Sequence, residues 1–159
     1  MKIRRSFETN SSSSHSLVLD FNLDEDGAVD TICDFADFGT INEDGFLEVK
    51  ALTVEFGWQW EVWSDPGTKV AYMLLDGFSQ HRMQLILHSN LSRMYPQIKG
   101  IILPNVEDGH IDHQSVGRTG MIAGAPDDIV WKFISGNSAI RGGNDNSDGP
   151  WERDEDDDF

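Results

Sequence analysis

Apolar and polar positions change their spacing several times along the chain, and each change marks an element. Ser16-Leu17-Val18-Leu19-Asp20-Phe21 is an aliphatic run that predicts a first strand. An acidic, turn-rich loop follows over residues 22–27. Val29, Ile32, Cys33 and Phe35 then recur at helical spacing and predict a short helix over residues 28–38, ended by Gly39. Residues 46–56 are mixed but β-like, and Trp58, Trp60 and Val62 alternate with Gln59, Glu61 and Trp63. That pattern predicts two strands joined near Gly57 and antiparallel to each other. Ser64-Asp65-Pro66-Gly67 is a turn signal. Residues 68–75 read either as a helical turn or two or as another strand, and Gly77 interrupts them.

The clearest periodicity lies in residues 80–94, where Met83, Leu87, Leu91 and Met94 line one side with Ile86 beside them, and Pro96 stops the helix. Ile98-Lys99-Gly100-Ile101-Ile102-Leu103-Pro104 reads as a short buried strand, and residues 105–112 as an acidic loop. Pro126-Asp127-Asp128 opens a last helix through Ile134, with proline early and acids in the first turn. Ser138-Ala139-Ile140-Arg141 predicts a final strand. There is no regular βαβ alternation and no internal repeat. The expected fold is α+β: a single domain, with a mixed or antiparallel sheet and two to four helices. Residues 16–150 form that domain, residues 1–15 a polar serine-rich segment, and residues 151–159 an acidic tail.

Composition sharpens this picture mainly through charge. The chain has 159 residues, 38% of them hydrophobic, enough to build a core. Its net charge is −16, which argues against general duplex-DNA binding, because such a protein needs cationic surface against phosphate. Cys33 is the sole cysteine, so no internal disulfide can form, and its apolar neighbours suit a small buried side chain. No apolar run approaches the roughly 20 residues that span a bilayer. The basic start, Lys2 with Arg4 and Arg5, is followed by polar residues rather than the apolar core of a signal peptide. The expected setting is cytoplasmic, within a host cell or packaged from one, with no membrane contact.

The acids are concentrated. Ten of them stand between Leu17 and Lys50: Asp20, Asp24, Glu25, Asp26, Asp30, Asp34, Asp37, Glu43, Asp44 and Glu48. The tail adds Glu152, Asp154, Glu155, Asp156, Asp157 and Asp158, flanked by Trp151 and Phe159. Such runs either serve solubility as solvated surface or seek a cationic partner. Partner-binding candidates are therefore Asp24, Glu25, Asp26, Asp30, Asp34 and Asp37, together with the six tail acids. A surface imitating nucleic-acid phosphate is one form this could take. The tail could also meet the chain's own basic start.

Candidate chemistry is sparse. Asp108-Gly109-His110-Ile111-Asp112-His113 contains a His-x-x-His, and imidazole with carboxylate suits zinc or manganese, so His110 and His113 are candidate metal ligands. The glycine at 109 and the loop setting count against both imidazoles sharing a helix face. Asp112 with His113 is a candidate acid/base pair, and Asn144 and Asp145 in Gly142-Gly143-Asn144-Asp145-Asn146 are candidate polar-pocket residues. Neither that stretch nor Gly117-Arg118-Thr119-Gly120 matches a phosphate-binding loop, and turn chemistry explains both. Trp58, Trp60 and Trp63 sit among acids, which favours core packing or a protein interface over base stacking. No cofactor is expected.

Arg4-Arg5-Ser6-Phe7-Glu8-Thr9-Asn10-Ser11-Ser12-Ser13-Ser14-His15-Ser16 resembles the start of a set of small, uncharacterised phage and bacterial proteins. Those open with a basic residue, a phenylalanine, Thr-Asn or Ser-Asn and a serine run leading into a strand, usually with an aromatic residue where this chain has His15. Ile111-Asp112-His113-Gln114-Ser115 and Gly143-Asn144-Asp145-Asn146 also look like segments of that set. The resemblance implies a phage or mobile-element setting and no particular activity. Physically, the string is either a flexible leader or an ordered anion-binding nest built by Arg4, Arg5, Asn10, Ser11 and Ser12.

The sequence thus points first to an acidic phage-type accessory protein that binds a basic protein or assembly. One alternative is a small enzyme with a pocket around Asp112, His113 and Asn144 to Asn146. Another is a virion component that self-associates through the tryptophans.

Overall fold

A computed structural model of the chain describes residues 2–5, 15–22, 34–57, 61–111 and 124–144. Nine strands and four helices stand in the order β1 (Lys2–Arg5), β2 (His15–Asn22), α1 (Phe35–Phe38), β3 (Gly39–Ile41), β4 (Phe46–Val49), β5 (Glu55–Phe56), β6 (Glu61–Trp63), α2 (Pro66–Leu75), α3 (Gln80–Met94), β7 (Gly100–Ile102), β8 (His110–Ile111), α4 (Asp127–Ser135) and β9 (Ala139–Asn144) among the described residues. They form three small sheets: an antiparallel one ordered β1-β2-β9-β6, a mixed one ordered β3-β4-β7, and a parallel pair, β5 with β8. The fold is α+β, as the pattern predicts.

Several boundaries differ from the expectation. The strand read as first is β2, because Lys2–Arg5 already forms a strand paired with it, Arg4 opposite Asp20. The helix expected over 28–38 does not run that far as one piece: α1 begins after its N-cap Asp34, which is extended, and ends at Gly39, while residues 28–33 lie outside the described residues. The strands on either side of Gly57 are not an antiparallel pair: β5 lies parallel to β8, while β6 lies antiparallel to β9. Alternation shows which residues share a face but not which strand lies alongside, and here long-range partners win.

Ser64-Asp65-Pro66-Gly67 is a helix start rather than a free turn. Asp65 is the N-cap of α2, its Oδ2 accepting from the Thr68 backbone N–H at 2.9 Å and from the Thr68 hydroxyl at 2.7 Å. Pro66 occupies the first turn, where its missing N–H costs nothing. Asp-Pro opens turns and helices with the same dihedral angles, so the string alone does not separate them. Residues 66–74 of α2 are all buried, which removes the polar stripe that would show a helical period. A Cβ on Gly67 would meet the Lys50 carbonyl at 1.8 Å, so only glycine lets α2 start this close to the end of β4.

The core gathers around α2. Tyr72 meets Phe56 edge-on at 5.1 Å, and Phe56 meets Trp63 in the same way at 5.1 Å. Trp63 is a buried core residue, while Trp58 and Trp60 lie outside the described residues. Phe38 of α1 stacks on Trp131 of α4 at 5.8 Å. Met83, Ile86, Leu87 and Leu91 of α3 are buried, on the face that the sequence periodicity picks out.

Helix α4 is held at both ends by cations from other helices. At its start, the Arg82 guanidinium bonds Asp127 at 2.8–2.9 Å and donates to the Ala125 carbonyl at 2.6 Å, while lying over the Phe78 ring. At its far end, the fully buried Lys69 ammonium donates to the carbonyls of Phe133 at 2.9 Å, Gly136 at 3.1 Å and Ser138 at 3.0 Å. An ammonium has three N–H donors, and these three carbonyls match them. The last carbonyls of a helix lack intrahelical partners and carry its negative dipole end, so a cation there is favoured twice.

Two outcomes follow for stability. Lys69→Met leaves three carbonyls, those of Phe133 and Ser138 in buried contacts and that of Gly136 in a part-buried one, without their donor and lowers unfolding free energy by roughly 2–4 kcal/mol, read from the urea midpoint; an unchanged midpoint would mean that water replaces the ammonium. The Tyr72 hydroxyl is buried with no hydrogen-bond partner, and burial, reinforced by the Asp76 charge, pushes its phenol well above the usual range. The folded chain therefore keeps this proton while the unfolded chain releases it near pH 10, so stability falls as pH rises beyond that point. Tyr72→Phe stabilises the neutral-pH protein by up to about 1 kcal/mol and makes the alkaline fall shallower.

Candidate interaction surface

The acidic stretch between Leu17 and Lys50 becomes, in its described part, strand β2 with Asp20, the helix α1 and the β3–β4 hairpin. Chain reversal rests on Asn42. Its Oδ1 accepts from the backbone N–H groups of Asp44 and Phe46, both at 3.0 Å, and its Nδ2 donates to Glu48 Oε1 at 3.4 Å. Gly45 has φ +85°, the left-handed conformation that lets the chain turn back into β4. The result fixes Glu43 and Asp44 at the exposed tip, with Glu48 half-buried beside them. The Lys99 stem lies against Gly45 in this turn.

Asp34 and Asp37, both exposed, have a local task. They form a capping box at α1: the Asp34 backbone N–H donates to Asp37 Oδ2 at 3.0 Å, and Asp34 Oδ1 accepts from the Ala36 N–H at 3.3 Å. The Asp34 carboxylate also faces Tyr95, whose ring meets Phe35 edge-on at 4.9 Å. Loss of solvent, and then the charge and hydrogen bond of Asp34, push the Tyr95 phenol above its usual range. These two acids thus hold a helix start as well as carrying surface charge.

The other candidates divide as follows. Asp24, Glu25, Asp26, Asp30 and the six tail acids lie outside the described residues, as do Asn10, Ser11, Ser12, Asp112, His113 and Asp145. Arg4 and Arg5 end the outer strand β1. His110 is exposed in β8, opposite Glu55. No group of three or more potential metal ligands occurs among the described residues. Asn144, the last residue of β9, stands opposite His15, the residue that follows the serine run, so the register brings the ends of those two segments together. No helix among the described residues is long and apolar enough to cross a membrane.

Sequence reasoning passed over Asn42. Its signal is Asn-Glu-Asp-Gly between two short apolar stretches, a pattern in which the asparagine side chain stands in for a backbone acceptor. Asn42→Ala speeds amide exchange at Asp44 and Phe46 by about fivefold, corresponding to ~1 kcal/mol of lost hydrogen bonding. Unchanged exchange would show that the backbone alone holds the turn.

No protein-family model, curated protein or solved structure matches the chain.

Proposed function

We propose that the protein is a non-catalytic binding protein, of the phage type that its N-terminal string resembles, which engages a basic macromolecular partner. The observation that carries this reading is the exposed carboxylate pair Glu43 and Asp44, at a hairpin tip whose backbone is bonded to Asn42, in a chain of net charge −16. Carboxylates carried on a hydrogen-bonded turn keep a defined place on the surface without ordering of their backbone on contact, which serves encounter and orientation. The acids of residues 20–30 and of the tail would extend the same negative field.

A second reading, a polar pocket with enzymatic function, is favoured by the His15–Asn144 register. It requires Asp112 and His113 to reach that end of β9 directly or through one water.

The binding reading is tested by capturing a partner from host lysate at low ionic strength, purifying it, and measuring Kd against salt. A basic partner whose affinity falls steeply between 50 and 300 mM salt is expected, with Glu43→Gln/Asp44→Asn slowing association by roughly three- to tenfold. Salt-independent binding, or no effect of the double variant, would remove the hairpin from the interface.

A further inference from the structure

Strand β7 is an edge of its sheet among the described residues, with β4 on one side only. Its other side opens into a groove of about 500 Å³, bounded by Leu74 of α2, Gln80 and Gln84 of α3, and the 103–107 loop. The Ile101 carbonyl points into this groove, where Gln84 Nε2 donates to it at 3.3 Å. In a strand the N–H and C=O of one residue face the same way, so the outer edge of β7 offers a donor and an acceptor at Ile101. Gln84 supplies there, at long range, the N–H that a neighbouring strand would supply.

We infer that this groove receives an extended segment of the basic partner as a fourth strand beside β7; the inference rests on the binding function proposed above and assigns its contact site. Three features select the occupant. The groove lining is apolar at Leu74, Leu103 and Val106, and Ile102 on the strand itself is 43% exposed, so alternate side chains of a docked strand find apolar contact. The amides of Gln80 and Gln84 suit the polar backbone of an extended peptide, while Asn105 Oδ1 holds the loop by accepting from the Glu107 N–H at 2.9 Å. Glu107 is the only charged residue of the lining, and exposed Asp108 follows it, so the remaining side chains are best met by lysine or arginine.

Fluorescein-labelled peptides added to the full chain test this. The probes are Lys-Val-Lys-Val-Lys-Val-Lys, the same peptide with its central valine replaced by proline, heptalysine, and Glu-Val-Glu-Val-Glu-Val-Glu. The lysine–valine peptide is expected to bind and to slow amide exchange at Ile101. The proline and heptalysine peptides are expected to bind at least tenfold more weakly, and the glutamate peptide not at all. Glu107→Lys is expected to weaken the lysine–valine peptide several-fold, as is Gln84→Trp, which fills the groove from an exposed helix position. Equal binding of heptalysine would mean attraction by charge alone; that overturns the groove and leaves the acidic-surface reading standing. Equal binding of the proline peptide excludes strand pairing. Protection of Ile101 that grows with protein concentration, without peptide, would assign the edge to a second copy. No binding of any lysine peptide at low salt would overturn both readings.

Discussion

A buried ammonium shared among three carbonyls is the constraint on which the rest of the structure depends. Lys69 joins the most buried helix, α2, to the end of α4 and the entry of β9. Burying a charge is costly, and the cost is offset only because all three N–H donors find acceptors and a helix dipole points its negative end at them. The position of α4 then follows, with Arg82 holding its opposite end. Trp131 on that helix stacks on Phe38, so α1 and the hairpin after it are placed by the same chain of contacts.

The surface built on this frame has two characters. The hairpin tip displays charge, with carboxylates standing on a turn stiffened by Asn42. The groove beside β7 displays backbone edge, amide side chains and apolar lining. Long-range attraction and short-range fit are separate physical tasks, and a partner with both positive charge and extended backbone would use each in turn.

How much was legible in the sequence varied with the kind of signal. Helix α3 could be read nearly to the residue, because one face is buried and the other wet, which is the condition that makes a period visible. Helix α2 could not, because burial on every side erases the period and Asp65-Pro66 imitates a turn. The antiparallel pairing expected of β5 and β6 fails because adjacency in sequence does not fix adjacency in a sheet. The buried role of Lys69 had no sequence signal at all: a lone lysine before an apolar run looks like any surface lysine. Asp34 and Asp37 were recognised as charge, but their capping geometry appears only once the backbone turns into α1. Asn144 was singled out as polar chemistry, and only strand register set it beside His15.

The acceptors for Lys69 lie 64 to 69 residues further along the chain. While the polypeptide is still being made, the ammonium of α2 emerges long before the carbonyls that will receive it. Until residue 138 clears the ribosome, that lysine lacks its full set of acceptors and is better placed in water. Satisfaction of Lys69 therefore waits for residues 133–138, and a chain truncated before them leaves that ammonium without these three acceptors.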